Sequence, residues 1–179
     1  MTPLDLALIT LDEGLKPYQS ALGTDWVAYR NHCARVLHAF DSLVSDETAM
    51  RQAAVATIYH DLGIWTHGTL DYLDPSADLA RDALAEMGEP GWVDPVVAMV
   101  VWHHKLRPYT GPHAEVAEPY RRADSADVMV GMVRYGIDAD VLRAGRARFA
   151  NAGFHKRLMQ LGGRRFLRKP WSPLPMFRW

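Results

Sequence analysis

At 179 residues, 49% hydrophobic and 23% charged, the chain has the size and composition of an ordinary globular domain that can bury a core without covalent staples. Its single cysteine, Cys33, excludes an internal disulfide framework and any cysteine-built zinc cluster, and fits a reducing compartment. The formal net charge of −1 hides an uneven distribution: residues 141–179 carry ten Lys/Arg and no Asp/Glu, leaving ten basic against 21 acidic residues in the first 140. A basic helix and tail packing back on an acidic body is the plainer meaning, with an anionic ligand or nucleic acid as the alternative.

The chain begins MTPLDLALITLDEG, where no basic segment leads and Asp5 and Asp12 interrupt the apolar residues, so it does not read as a secretory signal. The longest apolar run, VVAMVVW, is too short to span a bilayer, and a cytoplasmic protein without a membrane partner is expected. Trp26, Tyr29, Cys33, Val36, Leu37, Phe40 and Val44 recur at three and four, the stripe of one buried helical face. Asp46 then reads as the N-cap of a helix running to about Leu62, with Gly63 as its stop. In DPSADLARDALAEMG, Asp74 caps, Pro75 opens and Gly88 ends the next helix. Further helices are predicted at about 92–104, 116–135, 138–149 and 153–168, and the final KPWSPLPMFRW is too rich in proline to continue them. No segment alternates like a strand, and no repeat or linker divides the chain. The expectation is an all-α, single-domain compact helical bundle over residues 1–179, with its core at about 26–135 and a basic C-terminal helix and tail at about 141–179.

Two carboxylates interrupt this apolar grammar. At roughly 100° per residue, Asp61 falls between Met50, Ala54 and Ile58 on the apolar face of its helix. Asp124 falls with Tyr120, Val128, Gly131 and Tyr135, while Arg122 projects away. An unpaired buried carboxylate costs about several kcal/mol or else protonates, so each needs a cation, a donor network or a metal. His60 lies about one hundred degrees round from Asp61, and His32 sits at the edge of its stripe near Val36 and Leu43, whereas His38 falls on the wet face. Two imidazoles and two carboxylates converging from three helices make a mixed nitrogen and oxygen site suited to Mn, Fe, Co, Ni, Zn or Mg.

His32, the doublet His60-Asp61 followed by Leu62-Gly63, and the distant Asp124 resemble the H…HD…D pattern of the HD-domain superfamily of metal-dependent phosphohydrolases, over about residues 26–135. The resemblance implies an HD-type helical fold, one divalent metal held by His32, His60, Asp61 and Asp124, and hydrolysis of a small phosphorylated or anionic metabolite by metal-activated water. Arg30, Lys105 and Arg107 are candidates to stabilise charge developing on the phosphate. His103 and His104 resemble the part of binuclear HD proteins where a second metal is bound. His67 is the only histidine between them and the doublet, closer to it than the pattern requires, so a single metal is favoured, with His67, His103 and His104 placed in the substrate pocket. Asp71 offers a general acid for the leaving group. Ile64 stands where members resembling nucleoside 5′-monophosphatases carry an acid, and no GYP signature of cyclic-dinucleotide phosphodiesterases is present. The alternatives are an HD-type diiron oxygenase, which needs six protein ligands, and a regulatory module that keeps the fold without turnover. For such a module the basic segment, where Phe154, Leu158, Leu161 and Phe166 recur at near-helical spacing, offers a nucleic-acid surface.

Overall fold

The computed structural model describes residues 1–172 and 175–177, and these are helical with no strand among them. The first helix, α1 (Pro3–Leu15), was not among the predicted ones, yet its start is encoded locally: Thr2 and Asp5 exchange side-chain to backbone hydrogen bonds at 2.9 and 3.1 Å, and Pro3 supplies the first helical φ. Its buried Leu4, Ala7, Leu8, Leu11 and Leu15 form one stripe. After a 3₁₀ turn come the one-turn α2 (Gln19–Leu22) and a second 3₁₀ turn, then α3 (Trp26–Asp41), which follows the predicted stripe.

At the centre lies α4 (Glu47–Tyr59). Asp46 caps it as expected, accepting the Ala49 N–H at 2.6 Å, and its alanines at 49, 53, 54 and 56 are all buried. Small side chains let α1, α3 and α7 approach closely, so α4 is covered on every side and its end is delivered into the interior. Gly63 does not act as a left-handed stop. It begins the one-turn α5 (Gly63–Thr66), where a Cβ would stand 2.7 Å from the Tyr72 carbonyl oxygen and 3.0 Å from Ser76 Oγ; that crowding is what requires glycine.

The next helix, α6 (Leu73–Met87), starts one residue before the predicted cap, so Asp74 lies in its first turn, and Gly88 ends it with φ 71° as expected. α7 (Val93–Trp102) and α8 (Ala114–Val128) follow, each packed on its predecessor. α8 ends well short of 135 because Val130 and Gly131 take positive φ and the Gly131 N–H returns to the Ala126 carbonyl at 2.8 Å. Gly131 and Tyr135 therefore leave the face shared by Asp124. Asp138 caps α9 (Ala139–Arg148), which covers α3; His38, assigned to the wet face by the wheel, lies under it with both ring nitrogens buried and its ring edge against Gly145.

The basic α10 (Phe154–Arg168) returns to the body through Arg157 on Asp25 at 2.7 Å and Arg165 on Asp71 at 2.7 Å. A 3₁₀ turn at Pro175–Phe177 follows; residues 173–174 and 178–179 of the predicted tail lie outside the described residues. Among the described residues no helix is long and apolar enough to cross a membrane.

Candidate metal centre

α3 brings His32, the end of α4 brings His60 and Asp61, the end of α7 brings His103 and His104, and α8 brings Asp124. All but His104 are almost completely buried, and the His104 side chain is 12% exposed. His32 Nε2 lies 3.1 Å from His60 Nε2 and 3.3 Å from Asp124 Oδ1. His60 Nε2 is 3.5 Å from Asp61 Oδ2 and 3.7 Å from Asp124 Oδ1. On the other side, Asp61 Oδ1 faces His103 Nε2 at 3.2 Å and His104 Nε2 at 3.7 Å, while His104 Nδ1 lies 3.4 Å from Asp124 Oδ2. Two groups of donors, His32-His60-Asp61 and Asp61-His103-His104, each gather one ligand atom per residue within 4.8 Å of the others, and each can hold a metal ion.

The tautomers follow from what each Nδ1 touches. His60 Nδ1 faces the Thr57 carbonyl at 2.8 Å and His103 Nδ1 the Val100 carbonyl at 2.6 Å. A carbonyl oxygen only accepts, so each Nδ1 carries a proton and Nε2 is the ring atom turned inward. His32 Nδ1 donates to Asp127 Oδ2 at 2.8 Å, and the same carboxylate is gripped by Arg35 at 2.6 and 2.9 Å. Three Nε2 atoms are thereby aimed at two buried carboxylates, and both oxygens of Asp124 are buried without a hydrogen bond among the described residues. Two imidazole nitrogens only 3.1 Å apart repel unless a proton or a cation lies between them. The donor set fits a divalent ion.

The electrostatics match. Burial opposes ionisation of Asp61, but His60, His103 and His104 hold its carboxyl well below the usual range. Burial likewise opposes ionisation of Asp124, and His32 and His104 lower it. On His32, burial pushes the ring down, yet Asp124 and Asp127 outweigh it and raise the pKa to about 9. His60, for which burial dominates, falls to about 4. Phe154 of α10 stacks on the His32 ring at 4.0 Å and 10°, closing that side.

The remaining predicted residues are dispersed. Arg30 is committed to Asp12 at 2.7 and 2.8 Å. Lys105 Nζ donates to the Met176 carbonyl at 3.2 Å, Arg107 is exposed, and His67 is exposed beside Thr66. Asp71 is half exposed in its ion pair with Arg165. Its neighbour Tyr72 turns the opposite way, with its hydroxyl 3.5 Å from His103 Nε2. Tyr72, Arg35 and Asp127 are the contributors the sequence reading missed. Asp127 had a signal, since it follows Asp124 by one helical turn in ADSADV, and Arg35 follows His32 by the same interval.

A cavity of about 720 Å³ opens against His104, between α5, the end of α8 and α10. None of Arg30, His67, Asp71, Lys105 and Arg107 lines it. Comparison with protein-family models, with curated proteins and with solved structures finds no match to this chain.

Proposed function

We propose that the chain is a metal-dependent hydrolase of the HD type that cleaves a phosphate ester. The observation that carries this reading is the convergence of three inward Nε2 atoms on two buried carboxylates, one of which has, among the described residues, no hydrogen-bond partner for either oxygen. His32, His60, Asp61 and Asp124 would hold one divalent ion. When bound, it would supply Lewis acidity, lowering the pKa of a water and polarising a phosphoryl oxygen. Asp127 and Arg35 keep the His32 tautomer and aim its ring. The Thr57 and Val100 carbonyls do the same for His60 and His103. Tyr72, which lines the cavity and reaches His103, is the hydroxyl placed to hold a proton near a leaving group. Phe154 and the buried apolar shell exclude water from the rear of the site.

A second reading is favoured by one specific observation: the two donor groups share Asp61 and, with Asp124, bring six side chains together. Such a set can take two ions, as a binuclear hydrolase or a diiron oxygenase requires. Metal analysis of the dialysed protein, after reconstitution with Mn, Fe, Co, Ni, Zn or Mg, separates the readings, and phosphate release from a panel of monoesters tests the activity. One ion per chain with phosphate release supports the mononuclear hydrolase. Two irons with dioxygen consumption and no phosphate release would replace it with the oxygenase. Asp61→Ala should lose the metal while keeping its helicity; stoichiometric metal in that variant would overturn the site.

A further inference from the structure

The cavity that reaches the cluster has the wrong chemistry for a polyanion. Its wall is built from Ile64, Leu70, Val128, Leu158, Met159 and Phe166, and among the described residues no Asp, Glu, Lys or Arg lines it. Among the described lining side chains only three carry a polar group besides their apolar body, and each already faces another protein group. His155 spends its ring nitrogens on Asn151 Oδ1 at 3.0 Å and the Asp127 carbonyl at 3.1 Å. Tyr72 reaches His103, and His104 turns its nitrogens to Asp61 and Asp124. A sugar or a second phosphate entering here would shed water without gaining partners, at a cost of a few kcal/mol or more per group. The volume, about 720 Å³, lies within the range of about 300–1,000 Å³ typical of small-molecule sites.

Across Leu161 lies a second cavity of about 470 Å³, which shares Ile64 and Leu70 with the first and is lined by Arg157, Arg164, Arg165, Arg168 and Lys169. A polyanion would be drawn there, but no residue of the cluster lines it. Of these two cavities, the apolar one is continuous with the cluster, through His104. A smaller cavity of about 180 Å³ shares Leu70, Tyr72 and Met176 with it and is lined by Asp71, Asp74 and Lys105, whose ammonium donates to the Met176 carbonyl.

We infer that the substrate is an amphiphile, a single anionic head on a hydrocarbon body, with the head at the His104 end of the cavity, where an ion held by the cluster would receive it, and the body along α10. This rests on the metal-hydrolase reading and narrows its substrate class, away from nucleotides and sugar phosphates. The rim agrees with it: Val130, Met159 and Phe166 stand 49%, 77% and 55% exposed around the opening, apolar surface that a hydrocarbon chain would cover.

The test uses the full chain loaded with Mn²⁺, butyl, hexyl and octyl phosphate as probes, and glycerol phosphate and pyrophosphate as polar controls. Calorimetry gives the affinity, and metal is counted in the same samples. Affinity should rise with chain length by up to about fourfold per methylene, the factor equivalent to about 0.8 kcal/mol. Both polar controls should bind more weakly than octyl phosphate. Phe166→Asp and Met159→Asp, both at exposed positions, should flatten the series and leave the metal count unchanged. A flat series with metal retained, or pyrophosphate binding more tightly than octyl phosphate, would overturn the amphiphile inference and leave the metal site standing. A rising series in protein that cannot retain metal would uphold the apolar site and overturn the hydrolase reading instead.

Discussion

Asp127 offers a way to separate folding from the aiming of a ligand. Its carboxylate is 4% exposed and accepts three charge-assisted bonds, from Arg35 Nε at 2.6 Å, Arg35 Nη2 at 2.9 Å and His32 Nδ1 at 2.8 Å. These contacts bring its pKa to about 2, since the pull of His32 and Arg35 outweighs a burial that would raise it. Truncation in Asp127→Ala would strand a guanidinium that is itself 4% exposed, with only the Phe149 and Ala150 carbonyls at 3.1 and 3.3 Å to receive it. Breaking a buried pair from one side costs about 3–5 kcal/mol. The two retained carbonyl bonds place this case toward the lower end, still a large share of the roughly 5–15 kcal/mol that holds a domain folded.

The double variant Arg35→Met with Asp127→Leu removes the stranded charge as well. Apolar replacement of a buried pair is often neutral or stabilising, so most of the lost stability should return. Metal affinity should not return, because His32 Nδ1 has lost its acceptor in both variants, and loss of such a partner weakens metal binding about 10–100-fold. Urea unfolding in chelator measures stability, and competition against a chromophoric chelator measures affinity. Recovery of both in the double variant would overturn this expectation, since Asp127 would then serve the fold alone. Unaltered metal affinity in Asp127→Ala would refute it equally.

In metal-free protein, the stability supplied by His32, held up at about 9, is fully present below its unfolded pKa of about 6.5 and is lost as pH rises through 9, a loss on the order of 3 kcal/mol. His60, lowered to about 4, acts oppositely: its stability is present above about 6.5 and is lost as pH falls toward 4, so metal-free stability from these two groups should peak near pH 6.5. Urea unfolding from pH 5 to 9.5 with and without Zn²⁺ checks this, and an alkaline decline identical in both series would contradict metal binding at His32. Gly63→Ala, whose Cβ would stand 2.7 Å from the Tyr72 carbonyl, should destabilise by about 1–3 kcal/mol in urea unfolding, with no loss if the junction of α5 and α6 is loose.

The helices were legible because apolar period and caps are local. The stripe of α3, the Asp46 cap and the Gly88 ending all appear where the side chains alone put them. Asp61 and Asp124 were legible for a related reason, as charges on faces otherwise apolar. Arg35 and Asp127 escaped because each alone resembles a solvated charge, and their meeting across 92 residues is decided by how α3 packs on α8. The end of α8 escaped because Val130 adopts φ 54°, which no side-chain pattern announces. Asp71 and Tyr72 are adjacent in a turn, and only the turn's path decides that the tyrosine faces inward while the aspartate meets Arg165.

The basic helix shows the same limit and ties it to function. Phe154, Leu158, Leu161 and Phe166 form one stripe in sequence, and a stripe of that kind predicts a face packed on a core. Phe154 meets that expectation, 1% exposed and stacked on His32, whereas Phe166 is left 55% exposed. Between them, Leu158 and Leu161 line the apolar cavity. A single amphipathic face thus begins as the cover of the ligand cluster and ends as the wall of the space in front of it. Apolar area there is not consumed by folding, and its unburied end stands where a substrate's hydrocarbon would complete the packing. The arginines of α10 lie on its other side, toward Asp25, Asp71 and the second cavity, so the inner face brings no arginine of this helix to Asp61 and Asp124.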